Sequence, residues 1–276
     1  MKACFGLVKR YPLTAYFFMV FGVEWLLVLL LATITPPLVA LLVGSWLPNL
    51  IGVVVTGLAG GRTALRVLFS KVVLWRINIK WYASALFLPV VCSLVAIGLY
   101  GQSGGAAPAF TPLSQLPVIL LGAIFTGALG EELGWRGTAL PLLQSRWNPL
   151  LSSLILGVLW GLYHLPSFLL SGLPLQDVPI LPFMLSALAL TVIITWSFNR
   201  THGTLIIVFL YHFSFNFIGN ATGIFADPVL FRIFAGVVTL LAGLLVALDW
   251  STFTHPISQP TCLSRKGFQN GLDPQL

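Results

Sequence analysis

The chain has 276 residues, of which 58% are hydrophobic and 8% charged, with a formal net charge of +7. A soluble domain carries about a quarter charged residues, so this one has too little charge to coat a water-facing surface of its size. Its apolar residues come in blocks near or above the ~18–20 needed to cross a bilayer. The composition therefore excludes a soluble globular domain and predicts an all-α, polytopic membrane helix bundle of about eight transmembrane helices.

In chain order the spans are expected at 13–34, 37–58, 81–100, 116–140, 148–170, 179–198, 203–222 and 229–249. Lys2, Lys9 and Arg10 precede the first of these, as they would in a signal peptide. That apolar stretch is about 22 residues long, whereas a cleaved signal has about 7–15, so an uncleaved first helix is predicted. With the N-terminus inside, Arg62, Arg66, Lys71, Arg76, Lys80, Arg146, Arg200, Arg265 and Lys266 also fall inside. Arg232 falls outside, beside Asp177 and Asp227. This positive-inside pattern supports an even number of spans, with both termini expected in the cytoplasm. It also explains the basic balance without a nucleic-acid partner.

Residues 61–80 are too charged to span, and their cations alternate with Leu, Val, Phe and Trp. They read as a helix in the inner interface or a basic cytoplasmic loop helix. Residues 1–250 form one transmembrane domain with its motif core at 116–222, and 251–276 read as a disordered cytoplasmic tail. Cys4, Cys92 and Cys262 lie far apart, with neither disulfide nor zinc spacing. No internal repeat and no Gly-rich phosphate loop is present.

Ionisable groups inside a span are costly, about 2.5–3.5 kcal/mol each on insertion scales, and by default mark function. The fourth span carries Gly130-Glu131-Glu132-Leu133-Gly134-Trp135-Arg136. Glu132 and Arg136 are four apart, acid first, the better order for an ion pair. Glu131 points about 100° away, without an intrahelical cation, and is left for proton chemistry. The alternative is a structural ion pair plus an interfacial glutamate. In the fifth span Trp160 and His164 share a face; a lone histidine there is more often a satisfied core residue than a catalyst. In the seventh, His212 and Asn216 share a face, which suits a metal site, an oxyanion donor pair or interhelical hydrogen bonding. Glu24 either lines the same cavity or pairs with a base elsewhere; His202 and His255 are expected in water.

The combination Glu131-Glu132-x-x-Trp135-Arg136, then Trp160-x-x-x-His164, then His212-x-x-x-Asn216 resembles the CPBP family. Those are the intramembrane proteases related to CAAX prenyl endopeptidases and bacteriocin-processing Abi proteins. The segment Phe198-Asn199-Arg200-Thr201-x-Gly203-Thr204 is similar too. The resemblance implies an eight-helix bundle with a polar cavity open to the cytosol and laterally to lipid. It implies an endopeptidase of a membrane-associated or prenylated peptide, in a prokaryotic plasma membrane. Glu131 with His164 would activate water, His212 and Asn216 would stabilise the oxyanion, and Glu132 with Arg136 would order the site. Trp160 stands where the family commonly has Phe, a change expected to be neutral.

Family members are often termed metalloproteases, yet the run H-E-x-x-H is absent. Zinc on Glu131, His164 and His212 and a metal-free glutamate–histidine pair both remain open, the latter slightly favoured because Asn216 beside His212 suits a donor pair. Two other functions compete: a non-catalytic scaffold or immunity protein, and a proton-coupled transporter. A transporter often shows inverted repeats, which this chain lacks.

Overall fold

A computed structural model describes residues 2–173 and 175–255, with side chains from residue 6 onward. It is an all-α bundle, 82% helical and without a strand among the described residues. Among the described residues seven helices are long and apolar enough to cross a membrane: α1 (Pro12–Ile34), α2 (Pro37–Ser70), α3 (Ile79–Gln102), α4 (Leu113–Gln144), α5 (Pro149–Leu169), α6 (Ile180–Arg200) and, last of these, α8 (Pro228–Leu248). Between the last two lies α7 (Leu205–Ala221), apolar but only 17 residues long. At 1.5 Å per residue it reaches about 25 Å, short of a ~30 Å hydrocarbon core. Each predicted span is thus a helix, and the seventh is shortened.

Local chemistry sets the helix starts. Asn148 accepts from the Leu151 amide at 2.8 Å, and Asp227 accepts from Val229 and Leu230 at 2.8 and 2.9 Å. Pro12, Pro37, Pro149 and Pro228 occupy first-turn positions, where a missing N–H costs nothing. Pro166 breaks α5 after Tyr163 by removing a donor, and His164 sits at the break.

Helices approach through small residues. A Cβ added at Gly130 would strike the Ser45 carbonyl, and one at Gly134 the Pro48 carbonyl, so α4 lies against the backbone of α2. Gly157 and Gly161 do the same for α5 on α6, where a Cβ would come within 2.9 Å of Leu188 Cα and 2.7 Å of Met184 Sδ. Close backbone approach of this kind replaces the hydrophobic drive that lipid cannot supply.

Two expectations are revised. The 61–80 segment is helical only to Ser70, after a break at Gly61, whose φ of 65° is left-handed. Beyond it the chain straps the start of α7: Lys71 carbonyl accepts from the Leu205 amide at 3.0 Å, and Leu74 carbonyl from Thr204 Oγ1 at 2.6 Å. The tail begins with a short helix, Trp250–Thr254, which buries Phe253 completely. Asp249 ahead of it pairs with Arg200 and accepts from Trp196 Nε1 at 2.8 Å. Burial pushes the Asp249 carboxyl up, but bonds from Arg200, Trp196 and Thr252 outweigh this and hold it at about 2. Residues 256–276, with Cys262, Arg265 and Lys266, lie outside the described residues. Cys92 is buried and free.

Candidate active site

The acidic motif sits on a helix that is not uniformly α. Wider π turns at Ile124–Ala128 and Trp135–Ala139 flank the α-helical turn Leu129–Gly134. Asn49 of α2 grips the backbone on either side of the two glutamates. Its Nδ2 donates to the Leu129 carbonyl at 2.6 Å and its Oδ1 accepts from the Gly134 amide at 2.9 Å. Such π turns recur at functional sites because they re-aim side chains. Nothing in the spacing of residues 124–139 announced them, and Asn49, a single amide in an apolar span, passed unnoticed.

Glu132 is fully buried and is the anchor. Arg136 Nη1 donates to its two oxygens at 2.8 and 3.1 Å, and His212 Nδ1 bonds Oε1 at 2.6 Å. A carboxylate only accepts, so the His212 proton in this bond lies on Nδ1. Arg136, itself completely buried, also donates from Nη2 to Thr191 at 3.0 Å and stands 4.4 Å from the centre of the Trp160 ring. One carboxylate thus ties α4 to α7, while its arginine ties α4 to α6 and α5. Buried charge of this kind is costly unless its donors are met; here both terminal nitrogens of Arg136 are, while its Nε is left without a partner.

Glu131 is the other acid, and it is not free as expected. Its Oε2 accepts from the Trp160 indole N–H at 2.7 Å. His164, on the same cavity, bonds the Trp160 carbonyl through Nδ1 at 2.8 Å, so that in the neutral ring with Nδ1–H donating, Nε2 is an acceptor. The Trp160 ring meets His164 and His212 edge-on, with centroids 5.5 and 5.2 Å apart. Trp160 is therefore the hub of the cluster. Trp160 supplies Glu131 with an indole N–H that a phenylalanine at this position would lack.

Gly127 completes the arrangement. A Cβ there would lie 2.7 Å from Asn216 Nδ2 and 3.0 Å from His212 Nε2, so only hydrogen leaves room for those two groups side by side. Sequence reasoning missed it, since one glycine among 26 carries no signal of its own.

Glu131, Trp160, His164, His212 and Asn216 all line one cavity of about 340 Å³, whose remaining wall is chiefly Leu, Ile, Val, Ala and Phe. Glu132 and Arg136 do not line it; they stand behind it. Glu24 lies outside this lining too, and it pairs with no cation among the described residues. It is 5% exposed on a π turn of α1, Val20–Glu24, beside Gly44, with Oε2 unbonded. Neither expectation for Glu24 describes its surroundings. His202 lies in the loop ahead of α7 and His255 follows the terminal helix, both away from the cluster.

No group of three or more His, Cys, Asp or Glu residues converges enough to hold an ion among the described residues. Glu131, His164 and His212 line a common cavity, each bonded once to Trp160 or Glu132, and Glu131 Oε1, His164 Nε2 and His212 Nε2 take no part in those bonds.

Comparison with known proteins agrees with the motif pattern. Residues 113–218 match the family described as type II CAAX prenyl endopeptidase Rce1-like. The CAAX prenyl protease 2 of Methanococcus maripaludis is 28% identical over 179 residues, covering 62% of this chain and 64% of that relative. The chain thus spans just under two thirds of the relative it matches.

Proposed function

We propose, from this chain's membership of the CPBP family of intramembrane proteases, that it is an endopeptidase cleaving a membrane-associated peptide by water activation at Glu131 and His164. The observation that carries the reading is the division of labour between two adjacent acids. Glu131 faces the cavity and Glu132 is buried behind it with Arg136 and His212. A carboxylate facing substrate space can exchange protons with a reactant, whereas one saturated by two donors can only hold its partners.

In this reading Glu131 takes a proton from a water that His164 Nε2 helps to orient, and the oxygen attacks the peptide carbonyl carbon. Negative charge gathers on the carbonyl oxygen, where Asn216 Nδ2–H and, in the doubly protonated ring, His212 Nε2–H can donate. Gly127 keeps these two nitrogens adjacent. Glu132 fixes the His212 ring by holding Nδ1. Glu131 then returns the proton to the leaving nitrogen, the C–N bond breaks, and a carboxylate and an amine result. The water-activating pair needs no metal in this scheme. A CAAX-type prenylated peptide is one candidate substrate, by analogy with the archaeal relative's name.

The test is quantitative proteomics of membrane fractions holding the wild type or Glu131→Ala. A fragment found only with wild type supports hydrolysis and names a substrate. Identical fragment profiles, with both proteins present at equal levels, would instead favour a non-catalytic scaffold.

A further inference from the structure

The proposed reaction leaves one buried acid without a task. The chain has three glutamates, all in membrane-spanning helices and each at most 5% exposed. Glu131 and Glu132 both meet donors. Glu24 does not, and its Oε2 is buried and unbonded. An acid inside a span costs stability, and no bond of its own offsets that cost. Glu24 also lies outside the residues, 113–218, that match the family.

The surroundings of Glu24 meet at Gly44 of α2. Pro48, one turn further on, has no N–H, so the Gly44 carbonyl loses its helical donor. The Tyr163 hydroxyl takes that place, donating to the carbonyl at 3.1 Å. Glu24 packs on the same glycine, where a Cβ would stand 3.3 Å from Glu24 Oε1. Tyr163 is held at its other end too. At the break in α5 the Ser167 amide donates to the His164 carbonyl at 2.9 Å rather than to that of Tyr163. Trp25, the residue after Glu24, donates to the Tyr163 carbonyl instead, from Nε1 at 3.3 Å. Thus α1 and α2 together seat the last residue of α5, and the next residue is His164. The rings of Tyr163 and His164 meet edge-on, with centroids 5.1 Å apart. Glu24 and Tyr163 are also near enough to interact electrostatically. A hydroxyl that donates once can still accept, so Tyr163 has an unmet lone pair where Glu24 has an unmet oxygen.

We propose that Glu24 is a positioning residue of the site: with the Gly44 carbonyl it fixes the Tyr163 hydroxyl, and through Tyr163 it holds His164 at the break in α5. The acid form of a carboxyl can donate to the hydroxyl oxygen, and its ionised form can share the hydroxyl proton with Gly44. A leucine can do neither. His164 then keeps one orientation towards the cavity, where its ring orients the attacking water. That role of His164 rests on the peptidase reading; the seat of Tyr163 at Gly44 does not. Stability lost at Glu24 against precision gained at His164 is the trade-off expected of a functional site.

Full-length protein in lipid nanodiscs provides the test, as Glu24→Leu, Glu24→Gln, Tyr163→Phe and the Glu24→Leu/Tyr163→Phe double variant. Melting needs no substrate. Leucine removes an unbonded buried acid, so Glu24→Leu is expected to melt about 2–4 °C above wild type. A lower melting temperature marks Glu24 as a structural residue and overturns the inference. The shifts of Glu24→Leu and Tyr163→Phe are expected to be coupled, as those of residues in contact are, and additive shifts overturn it as well. Turnover is read on a farnesylated CAAX-type peptide. Glu24→Leu should lower kcat about tenfold with KM unchanged, and Glu24→Gln, which keeps a donor and an acceptor, should restore most of it. The double variant should be no slower than Tyr163→Phe. An unchanged kcat in Glu24→Leu, or a double variant slowed by the product of the two losses, refutes positioning through Tyr163. A wild type that leaves the peptide intact sinks the peptidase reading for that substrate, and the melting shifts then decide the link between Glu24 and Tyr163.

Discussion

Replacing each of the two adjacent glutamates by glutamine separates their roles. Glu132→Gln removes a buried carboxylate that three donor contacts share, from Arg136 at 2.8 and 3.1 Å and His212 at 2.6 Å. Breaking one side of a buried pair costs about 3–5 kcal/mol, because the remaining charge is stranded. Arg136 retains the Thr191 hydroxyl at 3.0 Å and the Trp160 face at 4.4 Å, each worth on the order of 1 kcal/mol. The expected loss is therefore near the low end, about 3 kcal/mol, or roughly 6–12 °C in melting temperature for a chain of this size. Glu131→Gln keeps an acceptor for the Trp160 N–H, so its loss should stay within about 1 kcal/mol. It should nevertheless abolish cleavage, since removal of a general base costs about 10²–10⁴-fold. Thermal unfolding in detergent, followed by intrinsic tryptophan fluorescence, measures the first quantity, and fragment yield in membranes the second. If Glu132→Gln melts within about 2 °C of wild type, or Glu131→Gln melts as early as Glu132→Gln is expected to, the assignment of anchor and base is wrong.

Four further outcomes are expected. Gly127→Ala pushes a methyl against Asn216 and His212; it should cost about 1–3 kcal/mol of stability and, through a displacement approaching 1 Å, about 10²-fold in kcat, and unchanged turnover would remove Gly127 from the site. Trp160→Phe deletes the indole N–H held by Glu131; a bond to a charged group is worth about 1.5–3 kcal/mol, so kcat should fall about tenfold or more with little change in KM, and a rise in KM alone would contradict the positioning role. Asp249 is held at about 2 in the folded protein, below its ordinary value of about 3.9. Its stabilisation is therefore full above about pH 4 and lost as pH falls through about 2, so wild type and Asp249→Asn should differ in melting temperature at neutral pH and converge at the acid end. For metal dependence, purified active protein is expected to keep its activity in chelator; stoichiometric zinc with reversible loss on chelation would overturn the metal-free scheme.

Some of this molecule was already decided by its sequence. The scarcity of charge forces the chain into lipid, and in lipid every backbone group must be satisfied within its own helix, so eight apolar blocks become eight helices. The (i, i+4) spacing of Glu132 and Arg136 placed them on one face, and there they pair. The same logic misjudged Glu131 and Trp160, because their contact joins residues 29 positions apart on different helices, and one-dimensional spacing holds no information about it. His212 was read as facing the same point as Asn216, and it does, through Nε2; its bond through Nδ1 to Glu132, 80 positions away, belongs to the packing of α7 on α4. Asn49 and Gly127 act only through what comes near them, the first on backbone that π turns reshape and the second by leaving a gap. The cavity that Glu131, His164 and His212 line was likewise decided by helix crossing, because a void is a property of neighbours and not of residues.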